Sequence, residues 1–208
     1  MHLPLREPRA SLYHPYTLYD PFFPAADRAS ATPVTIVGGG PIGLVTALIL
    51  ARHGIRSSVL IPECQVTEGS RAIVFTKRSM EILQFAGVAG RVMQKALPWT
   101  SGNSYYQGQR VFRMETAVDT NDSFPPLNNL QQNWLETYLV QAIQAQPLIE
   151  LRWGNRLLSF TQDTSGVEMV IDTPKGEYSS RCDWLVAADG ARSTVRQQLG
   201  LALEGNSY

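Results

Sequence analysis

The amino-acid sequence predicts an α/β fold: a central parallel sheet with a helix against it, and an additional β-meander. Three observations carry that expectation. A β-branched apolar run ends in a cluster of glycines that opens a helical stretch, "VTIVGGGPIGLVTAL" at residues 34–48. Between residues 148 and 181 the hydrophobic period changes to two. The segment "DWLVAADG", residues 183–190, then returns to the texture of a strand buried on both faces.

Taken in chain order, residues 1–31 are rich in proline and aromatics and hold no continuous apolar segment. They read as a surface-draped or poorly ordered N-terminal arm, and as neither a signal nor a transit peptide. Pro33 to Val37 is the first strand. A helix follows from Pro41 to His53, with Ile42, Val45, Leu48 and Ile49 on its apolar face and Gly54 at its C-terminal end. Ser57 to Ile61 is the second strand and completes a β-turn-α-β unit. Thr76 caps a short helix through Phe85, and residues 103–116 form a hairpin around Gly108. Asn133 to Gln144 is the clearest helix, because Leu135, Tyr138, Leu139, Ala142 and Ile143 recur at helical spacing and Pro147 stops it. Alternation at Leu158 and Phe160, and at Val167, Met169 and Ile171, makes a meander of about three strands, expected as a separate small sheet. Residues 184–187 form a third parallel strand, and a helix runs from Ala191 to Leu199.

Composition narrows the function classes. With 18 Lys plus Arg against 18 Asp plus Glu, the formal net charge is zero, which argues against a nucleic-acid surface or a polybasic membrane patch. The most apolar window is broken by three glycines and a proline, so it reads as a buried strand and helix and not as a membrane span. Cys64 and Cys182 are far apart, and His2, His14 and His53 lack metal-ligand spacing, so no metal site is expected. Two isolated thiols fit a cytoplasmic protein.

Gly38, Gly40 and Gly43 spell GxGxxG directly after a strand and at the mouth of a helix, the context of a Rossmann-like dinucleotide-binding unit. In that context Gly38 permits the tight turn, Gly40 lets backbone approach a pyrophosphate, and Gly43 allows close helix–strand packing. Pro41 and Ile42 begin the helix whose N-terminal N–H groups and dipole favour phosphate. Such sites place a ribose-binding carboxylate at the end of the second strand, and Glu63 in "VLIPEC" is the nearby candidate, with a solvated loop carboxylate as the alternative.

The glycine loop together with "DGARSTVRQQLG", residues 189–200, resembles the class A FAD-dependent aromatic monooxygenases, the p-hydroxybenzoate hydroxylase-like family. Asp189, Gly190, Ser193 and Arg196 match its Asp-Gly segment. "SRAIVFTKRSMEIL", residues 70–83, is similar to its Arg-Ala segment, and "LQQNWLETYL", residues 130–139, to its Gln-x-x-Leu-Glu segment. The wording is nearest to the hydroxyphenylpropionate and phenol hydroxylase subgroup. The resemblance implies FAD on the glycine loop, Arg71 and Gln132 at the flavin nucleotide, and Asp189 near the pyrophosphate and the approach of NAD(P)H. It implies a small aromatic or phenolic substrate, hydroxylated with NAD(P)H and O₂. Plain readings stand beside these roles: Arg71 paired with Glu68, Gln132 opening its helix, and Asp189 as a strand-end turn residue. No catalytic acid or base is assigned.

Two departures accompany the resemblance. Counting from Gly38, the family's ribose carboxylate falls at Ile61, so Glu63 has to serve from two residues later. The family's later Gly-Asp motif and most of its substrate domain would lie beyond Tyr208, so the resemblance covers the N-terminal half of a member. The expected organisation is therefore an arm at 1–31 and an FAD-binding domain at 32–208, with the start of a substrate-domain sheet at about 100–128. Another FAD or NAD(P) oxidoreductase of the same fold, and a non-catalytic remnant or subunit, stay open as functions. A homodimer, or association with a missing C-terminal half, stays open for assembly.

Overall fold

The computed structural model of the chain describes residues 11–24, 31–69 and 72–205. In chain order its first elements are β1 (Thr32–Val37), α1 (Pro41–Arg52), β2 (Ser57–Ile61), β3 (Val74–Thr76), α2 (Lys77–Phe85), α3 (Ala89–Lys95), β4 (Leu97–Trp99) and β5 (Ser101–Tyr106). There follow β6 (Gln109–Glu115), β7 (Leu127–Asn129), α4 (Gln132–Gln144), β8 (Ile149–Trp153), β9 (Arg156–Asp163), β10 (Gly166–Thr173), β11 (Gly176–Ala187) and α5 (Thr194–Gln198).

A six-stranded sheet in the order β8-β2-β1-β11-β10-β9 forms the frame. Its first four strands are parallel, with Val34 of β1 opposite Ser57 on one side and Trp184 on the other. This is the pairing the sequence predicts for 33–37, 57–61 and 184–187. Two features of the meander differ from expectation. Ile149–Trp153 is not its first strand but the outer parallel strand beside β2. Nor is the meander a separate sheet, because β11 is one continuous 12-residue strand. Its first half pairs antiparallel with β10 and its second half parallel with β1. Between Gly176 and Gly190 no glycine or proline interrupts the chain, so nothing breaks the strand where the hydrophobic texture changes.

Alternation along the central strands feeds two cores. Val34, Ile36, Val59 and Ile61 pack with Leu44, Leu48, Leu135, Leu139 and Ile143 of α1 and α4 on one face. Val37 and Leu60 point to the other face, where Leu157, Val167, Met169 and Ile171 of the meander cover them. Helix α1 turns a different side to the sheet than its hydrophobicity predicts. Gly43, Leu44, Ala47, Leu48 and Ala51 are buried, while Ile42 is 72% exposed. The helix is apolar nearly all round, so periodicity could not fix its rotation. The close approach at Gly43 does, and residues 47 and 51 follow it at intervals of four.

Two small sheets complete the body, β3-β7-β4 and the hairpin β5-β6. The hairpin turns through Gln107 and Gly108, both at positive φ (48° and 78°), as a tight two-residue connection requires. Residues 11–24 have no regular secondary structure, yet they are docked. Tyr19 stacks on Trp153 with ring centroids 4.3 Å apart, and the Phe22 N–H donates to Trp153 O at 2.9 Å. No helix among the described residues is long and apolar enough to cross a membrane.

Candidate functional site

Three strand ends converge on the glycine loop. The Gly38 N–H donates to Leu60 O at 3.0 Å, and the Ala188 N–H donates to Val37 O at 2.8 Å, so the turn is tied to β2 and to the end of β11. Gly38 has a φ of +113°, and a Cβ there would lie 2.3 Å from Ala188 O. A Cβ on Gly43 would lie 2.0 Å from Gly38 O, so only glycine lets the first turn of α1 settle on the loop. Gly39, which the GxGxxG pattern leaves free, is equally confined: its Cβ would meet the Ile61 side chain at 2.6 Å.

Gly40 differs from its neighbours. Its φ of −76° is open to any residue, and a Cβ there would meet nothing within 4 Å. The backbone geometry therefore does not require glycine, and the space outside this residue is clear. Gly40 is also the N-cap of α1, Pro41 occupies the first turn, no side chain caps the helix and the first turn holds no acid. The N-terminal donors and the positive end of the dipole are thus left for an anion. The loop closes tightly on its inner side and stays open on its outer side, and it has the donor set a pyrophosphate needs. A dinucleotide fits it.

Ile61, where the family's carboxylate would fall, is 3% exposed and packed under Gly39. Glu63, two residues on, is exposed on the loop that leaves β2. Its carbonyl accepts from the Gly154 N–H at 3.1 Å, which fixes the backbone while the side chain faces solvent. Next to it, Cys64 is buried, and burial together with the nearby Glu63 and Asp20 carboxylates pushes its thiol pKa up.

Gln132 is the first residue of α4, and its Nε2 donates to Glu136 Oε1 at 2.7 Å. The other Glu136 oxygen accepts from the Thr67 N–H at 2.7 Å, so the start of α4 is joined to the Glu63 loop. Glu136, the glutamate of the Gln-x-x-Leu-Glu segment, is 2% exposed, and sequence reasoning gave it no role. The available signal was an acid set between Leu135 and Leu139 on the buried face of an otherwise regular helix. Asp189 follows β11 at the glycine loop, and its Oδ2 accepts from the Val195 N–H at 3.2 Å, which holds the turn into α5. Ser193 caps α5 by accepting from the Arg196 N–H at 2.9 Å. Gly38, Gly40, Pro41, Ile42, Gly43 and Asp189 thus share one end of the sheet. Glu63 and Gln132 stand on the adjoining loop and helix, and Arg71 lies outside the described residues.

A groove of about 350 Å³ lies elsewhere, across the outer strands, lined by Ser159, Glu168, Ser179 and Arg181 among others. Arg181 is seven residues before Ala188 along an extended strand, about 23 Å at the usual rise, so the groove is separate from the loop.

Fold and loop together define the class: an α/β domain built for a dinucleotide. Residues 31–208 match the family described as FAD binding domain, and the chain belongs to that family. Para-nitrophenol 4-monooxygenase of Pseudomonas sp. (strain WBC-3) is 34% identical over 181 residues, 84% of this chain and 44% of that protein. Two solved structures superpose well. The p-nitrophenol 4-monooxygenase PnpA from Pseudomonas putida DLL-E4 has a TM-score of 0.81 at 31% identity, covering 86% of this chain and 46% of that one. The flavin-dependent monooxygenase PieE, solved in complex with FAD and substrate, has a TM-score of 0.77 at 35% identity, covering 88% and 34%. The chain spans less than half the length of these relatives.

Proposed function

We propose that this chain is the FAD-binding portion of a monooxygenase that hydroxylates an aromatic or phenolic substrate with NAD(P)H and O₂. The observation that carries the reading is the glycine loop, confined to glycine on its inner side at Gly38 and Gly43 and clear on its outer side at Gly40. The Gly38–Gly43 loop, with Pro41 and Ile42 opening the helix, would hold the pyrophosphate. Glu63 would serve the adenosine ribose, Asp189 would stand near the pyrophosphate and the approach of NAD(P)H, and Gln132 and Arg71 would contact the flavin nucleotide. Bound FAD supplies the redox chemistry, accepting hydride from NAD(P)H and delivering one atom of O₂ to the ring and the other to water. The residues of this chain bind and orient, and none is assigned a proton transfer.

In this reading the chain is organised as an arm at residues 1–31 and an FAD-binding unit at 32–208. The hairpin β5-β6 is read as the start of the substrate-side sheet. Its Tyr105, Tyr106, Val111 and Phe112 are 59–66% exposed, a large apolar surface for one hairpin. A cytoplasmic location rests on Cys64 and Cys182, both buried as free thiols.

The test is spectroscopic. Purified protein, reconstituted with FAD at millimolar concentration, should carry a visible flavin band that NAD(P)H bleaches with uptake of O₂. Bleaching without O₂ uptake would favour a reductase of the same fold, and failure to retain any flavin would overturn the reading.

A further inference from the structure

The family match begins at residue 31, yet the preceding stretch is bonded to the loop that carries Glu63. The Tyr19 N–H donates to Cys64 O at 2.7 Å. The Tyr16 phenol oxygen accepts from the Gly69 N–H at 3.1 Å and from Asn133 Nδ2 at 3.4 Å. One oxygen thus bridges the far end of the loop to the first turn of α4, one residue from Gln132. Glu136 makes a second bridge between the same two elements through Thr67 and Gln132.

The arm is fixed where it makes these bonds. His14 is 3% exposed and meets Tyr16 and Trp134 edge-on, with ring centroids 4.6 and 4.5 Å away. On the other side, Tyr19 lies flat on Trp153, and Phe22 O accepts from Asn155 Nδ2 at 2.9 Å. Tyr16 is therefore held between two anchored points and has little freedom to leave the loop.

We infer that Tyr16 is a positioning residue for the adenosine end of the dinucleotide site, holding the 62–69 loop, and with it Glu63, at a set distance from α4 and Gln132. The inference rests on the FAD reading above. It adds to the site a segment that precedes the family's matched residues. The Glu63 side chain is exposed and makes no hydrogen bond or ion pair among the described residues, so its place depends on the bonds of the loop backbone.

Tyr16→Phe removes the bridging oxygen and keeps the ring. Tyr19→Phe is the control, since the Tyr19 hydroxyl turns to Thr17 within the arm, while its bond to the 62–69 loop runs through its backbone N–H. The full chain of each is titrated with FAD well below its melting temperature, and amide hydrogen exchange is followed residue by residue. Tyr16→Phe should weaken FAD binding about three- to tenfold, the loss of one ordinary hydrogen bond. It should speed exchange at Gly69 and Thr67 while leaving Val59 and Leu60 in the sheet unchanged. Tyr19→Phe should match wild type in both measurements. Faster loop exchange with unchanged FAD affinity would overturn the inference while the FAD reading stands. Unchanged loop exchange, or acceleration spread through the sheet, would also overturn it. If the wild-type chain fails to bind FAD, the FAD reading falls first and the inference with it.

Discussion

Substituting alanine at Gly40 and at Gly43 separates binding from folding within one loop. At Gly40 the φ of −76° accepts alanine and the added methyl meets no protein atom within 4 Å. Losing glycine at an N-cap costs up to about 1 kcal/mol, and the stiffer unfolded chain returns about 0.4–1 kcal/mol, so the melting temperature should move by no more than about 2 °C. The methyl nevertheless projects into the space where the pyrophosphate would approach. Loss of one charge-assisted bond of about 1.5–3 kcal/mol corresponds to roughly 10- to 100-fold weaker FAD binding. At Gly43 the methyl carbon would sit 2.0 Å from Gly38 O, where no side chain can yield, so helix and loop must part by more than about 1 Å. Overpacking of that kind costs about 1–3 kcal/mol or more, several degrees of melting temperature, before any ligand is added. Flavin-fluorescence titration and thermal melting, run side by side, read the two effects. Wild-type FAD affinity in Gly40→Ala would refute the placement of the dinucleotide on the outer face. A wild-type melting temperature in Gly43→Ala would refute the close helix–loop contact.

Three further outcomes follow. Thr137 Oγ1 donates to Asn133 O, so it accepts from His14 Nε2–H, which leaves the buried Nδ1 without a partner among the described residues. Burial, and after it the Lys95 ammonium, holds the His14 imidazole below its ordinary pKa of 6.5. Its contribution to stability is then full above 6.5 and is lost as the pH falls from there through the folded-state value. The wild-type melting temperature should drop over that window more than that of His14→Phe, and parallel pH profiles would refute the assignment. Glu136→Ala strands the Thr67 N–H and removes the acceptor of the Gln132 Nε2 bond, at a cost of about 1–3 kcal/mol in thermal or denaturant melts. Glu136→Gln, which keeps an acceptor for Thr67, should lose less. Supplied with FAD, NAD(P)H and a panel of phenols, the 208-residue chain should release peroxide in place of hydroxylated product, because a flavin ring open to water has no dry site for oxygen transfer. Stoichiometric hydroxylation, measured by chromatography, would show that the active site is complete within these residues.

The sequence by itself determined the parallel core and the loop at its end. Pro33 to Val37 is rich in β-branched residues and apolar on both faces, and a strand in that state has to lie in the interior of a sheet, with Ser57 to Ile61 following as the second strand of the same β-turn-α-β unit. The spacing of Gly38, Gly40 and Gly43 is a local matter of steric fit and survives in one dimension. The tertiary structure alone decided what depends on distant partners. Helix α1 faces the sheet through Gly43 and Ala47, not Ile42, because a contact with Gly38 O sets its rotation and hydrophobicity does not. Glu136 bonds Thr67 across 69 residues of sequence, and Tyr16 bonds Asn133 across 117, separations at which no periodicity carries a signal. The continuity of β11 was hidden for the same reason: its two halves change partner, from antiparallel β10 to parallel β1, and only the neighbours reveal that one strand serves both.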